Sequence, residues 1–183
     1  MDVLTLVLGA ISILIPTLAV VLLLTIDLGI SERHHSHHDT YLVAHSLIVT
    51  LVFSMVFMGA LGLLLGWLCM VGAFSARATT VFAFFDSFLV TTFIYWLLIR
   101  RYRVVTYEDR LEVVPFLGRK AIIPYQTISL MVWVPSMAVR NGKNVRVFVG
   151  YRRRAVLWAG IDVEQILIRI DRFDILVDSA GSV

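Results

Sequence analysis

All five histidines of the chain fall between His34 and His45, four of them in the run His34-His35-Ser36-His37-His38. Neutral imidazoles suit zinc, nickel or copper, and a His-rich tract can offer several nitrogens to one ion. A specific site also needs groups that orient its imidazoles, and here only Glu32, Asp39 and His45 are at hand. The competing reading is a solvated loop at the headgroup boundary. Weak zinc, nickel or copper binding fits either reading, and no resident cofactor is expected. Asp86 is the second residue of interest, because it is the only charge between Ala78 and Ile99. An acid inside an apolar helix can relay a proton, bind a cation or pair with a basic group on a partner subunit. It can also be held structurally, by Ser87, Thr91, Ser12 or a carbonyl freed near Pro16. Two arginine clusters, Arg100, Arg101, Arg103 and Arg152-Arg153-Arg154, are suited to anionic membrane surfaces.

These groups sit in a chain of 183 residues that is 59% hydrophobic and only 16% charged, with mean hydropathy +0.87. Soluble domains carry roughly a quarter charged residues, so an ordinary soluble protein is excluded. Charge is divided unevenly. Residues 1–99 hold 2 basic and 5 acidic side chains, against 14 and 8 in residues 100–183. Basic residues that lie next to a membrane are explained by anionic lipid, so no nucleic-acid partner is expected. Cys69 is the only cysteine, which leaves no disulfide framework and no cysteine-based zinc site. A Gly-rich phosphate loop, a nucleophile motif, an HExxH arrangement and paired carboxylates in a soluble cleft are all missing, so an enzyme is not expected.

Val3 to Ile26 runs without a charge, long enough at 1.5 Å per residue to cross a hydrocarbon core of about 30 Å. A basic region ahead of it is missing, and it exceeds a signal-peptide core of roughly 7–15 residues, which predicts a retained first span over 3–26. Pro16 removes a backbone donor in its middle and frees the Ser12 carbonyl, so a kink and a neighbour for that oxygen are expected. Thr40 to Ala76 is again free of Asp, Glu, Lys and Arg, and the second span is placed at about 45–74. Within it Gly62 and Gly66 stand one turn apart, the spacing that lets helices approach closely in lipid; glycines merely scattered in a span are the plainer alternative. The third span is 78–99. Arg100, Arg101, Arg103, Arg110, Arg119 and Lys120 follow it, whereas the loop before it offers only Arg77. The bias toward positive charge on the inner side therefore predicts a cytoplasmic C-terminal domain and an outside N-terminus. The transmembrane domain is thus 1–101 and the cytoplasmic domain 102–183.

After Arg101 the periodicity moves toward two, with β-branched and aromatic residues enriched. Strands are predicted over 101–107, 110–114, 120–123, 128–134, 145–149 and 153–158. Pro115 ends the second, and Asn141-Gly142 marks a hairpin. Val163, Ile166, Leu167, Ile170 and Phe173 then recur at helical spacing, with Asp162 as N-cap and Gln165 three residues on. The expected outcome is α+β: about six antiparallel strands followed by one packed helix.

The stretch Tyr102-Arg-Val-Val-Thr-Tyr-Glu-Asp-Arg-Leu-Glu-Val-Val, the Gly118-Arg119-Lys120 turn, Ile122-Ile-Pro-Tyr-Gln-Thr-Ile-Ser and the terminal helix resemble bacterial membrane proteins with a pleckstrin-homology-like (PH-like) domain. The resemblance covers roughly 78–173. It implies a curled antiparallel sheet closed by the C-terminal helix. A phosphoinositide-binding relative is expected to carry Lys and Arg in the loop joining its first two strands, whereas this chain has the mostly acidic Tyr107-Glu108-Asp109-Arg110.

The function expected from these features is that of a non-enzymatic multi-pass membrane protein, an assembly subunit or scaffold. Its cytoplasmic domain docks another membrane protein subunit or forms a homo-oligomer, with membrane lipids as further partners. The Gly62/Gly66 face and Asp86 are the features suited to pairing. Two alternatives stand beside it: a transport or metal-responsive component using Asp86 and the His34–His38 loop, and an anionic-lipid-binding module using Arg152 to Arg154.

Overall fold

The structure, a computed structural model, describes residues 2–30 (26–30 by backbone alone), 39–137, 139 and 142–178. His34, His35, His37 and His38 lie outside the described residues, so the metal reading of that run is not addressed by the fold. The described residues form two compact units, one from 2–30 and 46–97, the other from 39–45 and 98–178.

The first unit is built from α1 (Val3–Ile30), α2 (His45–Met70) and α3 (Ala78–Arg101), with His45 and the last turn of α3, from Leu98, belonging to the second unit. By length and composition all three are able to cross a membrane. Their inward faces carry the core cluster of Ala19, Val52, Met55, Leu89 and Trp96, while large apolar side chains such as Phe53 (69%), Phe84 (66%) and Leu14 (64%) stand exposed. An apolar outer surface of this kind is what lipid tails cover. The second helix stops at Met70 instead of running on to Phe74. Gly72 takes φ 80, its N–H donates to the Cys69 carbonyl and that of Ala73 to the Leu68 carbonyl. This pair of bonds closes the helix, and its positive φ needs glycine.

In the second unit the expected single curled sheet is replaced by two four-stranded sheets. The first has the order β1-β2-β3-β4, with β1 Asp39–Leu42, β2 Arg103–Thr106, β3 Arg110–Val114 and β4 Ala121–Pro124, all antiparallel. The second has the order β7-β6-β5-β8, with β5 Leu130–Pro135, β6 Lys143–Val149, β7 Arg152–Leu157 and β8 Leu176–Asp178. A 3-10 turn at Tyr125–Thr127 interrupts the extended chain between β4 and β5, which ends one ladder and starts the other. Two strands were not foreseen. The strand β1 comes from the loop between α1 and α2 and covers the edge of β2 that would otherwise be unpaired. The strand β8 follows the last helix and lies parallel to β5, so the expectation of an all-antiparallel domain is corrected.

The last helix, α4 (Val163–Ile170), buries Val163, Ile166, Leu167 and Ile170, one stripe at helical spacing. The Asp162 carboxylate accepts the Gln165 backbone N–H at 3.2 Å, satisfying one of the free donors of the first turn. The core of this unit draws on both sheets and the helix: Val104, Leu111, Val113, Ile123, Met131, Val145, Val147, Leu157 and Ile166 are all at most 2% exposed.

Candidate functional site

Asp86 lies on the stripe Phe82, Phe85, Asp86, Leu89 of α3, whose spacing of three and four puts all of them on one face, and all are buried. Asp86 itself is 5% exposed. The hydroxyl of Ser12, on α1, donates to Asp86 Oδ1 at 2.6 Å; Asp86 Oδ2 is buried with no hydrogen-bond partner among the described residues. Of the partners the sequence offered, Ser12 is the one in place. Ser87 and Thr91 donate instead to the carbonyls of Phe84 and Ser87.

Ser12 serves this node twice. Pro16 has no N–H, so the Ser12 carbonyl loses its helical donor, and that oxygen lies against Gly59 of α2. A Cβ added at Gly59 would stand 2.8 Å from it and 2.9 Å from the Pro16 ring. Only glycine permits so close an approach. The same face of α2 carries Gly62 and Gly66. A Cβ at Gly62 would stand 2.9 Å from Phe85 Cβ, and one at Gly66 would collide with the Phe82 ring. The glycine face is therefore filled by phenylalanines of the chain's own α3. It is a seam within the unit and leaves no room there for a partner helix.

Gly59 was not singled out from the sequence. Its signal was present in the spacing of Gly59, Gly62 and Gly66, which places three glycines on one helical face, and in Ser12 standing four residues before Pro16.

The basic residues separate into groups with different surroundings. The Arg101 guanidinium donates to the Gly118 carbonyl at 2.6 Å, which ties the end of α3 to the turn before β4. Arg103 opens β2 and is exposed, as are Arg152, Arg153 and Arg154 at the start of β7. Among the described residues no three His, Cys, Asp or Glu side chains converge as a metal site.

A second polar node lies where the two sheets of the second unit meet. Tyr102 is 2% exposed; its hydroxyl donates to the Val156 carbonyl at 3.0 Å and accepts the Trp158 backbone N–H at 2.9 Å. Its ring stacks on Phe116 at 4.5 Å, and Trp158 meets both rings edge-on. Burial pushes the Tyr102 phenol up to about 12, because the phenolate would be stranded away from water. The arrangement fastens β7 to the chain entering β2.

Comparison of the chain with models of protein families, with curated proteins and with solved structures finds no match. Three long apolar helices and an α+β domain therefore describe the chain, and a functional reading must come from its own geometry.

Proposed function

We propose that the chain is a non-catalytic, three-span membrane protein of the inner (plasma) membrane, an assembly subunit whose cytoplasmic domain docks another membrane subunit or a second copy of itself. The observation that carries this reading is the pairing of β1 with β2. Residues on either side of α2 and α3 build one extramembrane domain, held by two separate span ends and thus anchored as a platform. Two crossings return the chain to the face it left, so the pairing supports three spans; dividing α2 into two spans would part β1 from β2. The arginines after α3 support the cytoplasmic side.

Among the described residues the platform presents exposed apolar groups: Leu117 (71%) in the turn before β4, Ile122 (54%) on β4 and Ile168 (66%) on α4. The segment 102–114, which carries the PH-like resemblance, forms β2 and β3, in keeping with an interaction module. Purification in mild detergent followed by native mass measurement tests the reading. A homo-oligomer or a stoichiometric second subunit is expected; a lone monomer with no companion overturns it.

One observation favours a second reading. Asp86 is 5% exposed and its Oδ2 has no hydrogen-bond partner among the described residues, an arrangement suited to a transported or bound ion. In vesicles holding the purified chain, Asp86→Asn then abolishes ion flux, as does joint replacement of His34, His35, His37 and His38; unchanged flux and metal content remove this reading.

A further inference from the structure

We infer that the β6–β7 hairpin tip, residues 149–154, is a docking element for the anionic phosphates of a bilayer surface. The inference goes beyond the partner reading and rests on the first-unit helices being membrane spans. Four observations carry it.

The tip is a tight, preformed turn. Val149 pairs with Arg152, and Gly150 at φ 58 takes the positive-φ position such a two-residue turn requires. Tyr151 stands out from it fully exposed (104%). An aromatic ring with a polar end is the side chain that settles at headgroup level.

Three consecutive arginines follow, and the strand is irregular where they lie. Along a regular strand successive side chains alternate between faces, so Arg153 would share the face of Ala155 and Leu157, which are 8% and 0% exposed. A bulge intervenes. Phe148 pairs with Arg153 and Val147 with Ala155, leaving Arg154 as the extra residue. The bulge breaks the alternation at that point, and Arg152, Arg153 and Arg154 are all exposed. Bulges of this sort re-aim side chains.

Charge complementarity points to an anion. Residues 143–160 contain Lys143, Arg146, Arg152, Arg153 and Arg154 but no Asp or Glu. Among the described residues none of the three arginines has an ion-pair partner, so their charges are not neutralised by an acidic side chain there. Finally, one residue separates α3 from β2. This short link tethers the second unit as a whole to a span, which raises its effective concentration at a bilayer.

Each arginine at an anionic surface multiplies the docked population by roughly fivefold, and the triplet by roughly a hundredfold. The test uses the full chain in nanodiscs of phosphatidylcholine, with and without phosphatidylglycerol. Retention of the chain in both discs is scored first, so that failure to insert is recognised as failure of the span reading. Amide hydrogen exchange at Gly150, Tyr151 and Arg152 is then compared. Slower exchange in the phosphatidylglycerol discs alone is expected, reversed by molar salt, which shortens the screening length to about 3 Å. Replacement of Arg152, Arg153 and Arg154 by Gln is expected to abolish the slowing, with Val147 exchange reporting that the sheet is intact. Equal exchange in both discs, or slowing that survives molar salt, overturns the inference. So does equal slowing at the opposite hairpin tip, Met137, which signals unspecific crowding, or slowing by inorganic phosphate in neutral discs, which signals a soluble-phosphate site. The salt comparison needs no variant and decides the matter even if the glutamine variant fails to fold.

Discussion

At the scale of single residues, the chain spends its few buried polar groups on joints between elements. Ser12 is the sole hydrogen-bond partner found for Asp86 among the described residues. Deleting that hydroxyl leaves neither carboxyl oxygen with a donor, so Ser12→Ala is expected to destabilise the helical unit by about 1–3 kcal/mol. Replacing both partners by apolar groups, Ser12→Ala with Asp86→Leu, is expected to recover most of that loss, since no polar group is then left unpaired. Thermal unfolding in mild detergent across this double-mutant cycle checks it; additive losses would show that the two residues do not act together. Tyr102 gives a pH dependence. Its phenol is raised from 10.0 to about 12 in the fold, so below pH 10 the group is neutral in folded and unfolded chains alike and adds no pH dependence. Between pH 10 and 12 the unfolded chain loses this proton first, and stability falls by up to about 1.4 kcal/mol per pH unit. Trp158 lies against the Tyr102 ring and reports the transition by fluorescence. Tyr102→Phe is expected to lower stability at neutral pH, through the two lost hydrogen bonds, while flattening the alkaline slope.

Among elements, how closely two helices approach is decided by what each can yield. At Gly59 the obstacle is backbone and a proline ring, the Ser12 carbonyl and Pro16. Neither can turn aside. At Gly66 the obstacle is the far end of the Phe82 side chain, which can rotate. Gly59→Ala is therefore expected to cost about 1–3 kcal/mol as an overpacking change, and Gly66→Ala less, as measured by detergent unfolding midpoints; the reverse order would mean that the seam gives at α1 and not at α3. The same contrast explains what could be read beforehand. The stripe on α4 and its Asp162 cap were legible because helical spacing and an N-cap are local signals. So were β3, bounded by Pro115, and the antiparallel pair β5–β6, although Asn141 of the expected turn lies outside the described residues. The strands β1 and β8 were not: they have 4 and 3 residues, too short for periodicity, and their partners lie far away in sequence. The Asp86–Ser12 bond was legible only as one of several candidates, because periodicity fixes which face a residue occupies but not the register between helices.

At the scale of the whole molecule, the pairing of β1 with β2 constrains how the chain threads the bilayer. Asp39 to Leu42 are matched to Thr106 through Arg103 across an antiparallel ladder, and Arg169 on α4 approaches the Asp39 carboxylate at 3.6 Å. An exposed ion pair of this kind contributes little by itself; the ladder is what fixes β1. Backbone hydrogen bonds cannot form across a hydrocarbon core, so on the proposed three-span reading the loop after α1 and the domain after α3 share one face of the membrane. Which face is a separate question; on the proposed reading the arginines that follow α3 put it on the cytosolic side, since translocating them is costly. Both parts are open to one measurement. In a Cys69→Ser background, single cysteines are placed at Asp2, Thr40 and Glu108, all exposed, and intact cells are treated with a membrane-impermeant maleimide. Labelling is expected at Asp2→Cys alone, with Thr40→Cys and Glu108→Cys reacting only after permeabilisation. If Thr40 and Glu108 react from opposite sides, β1 cannot pair with β2. If both react from outside while Asp2 does not, the ladder stands but the domain faces away from the cytosol, and charge bias has been outweighed by some other determinant of insertion.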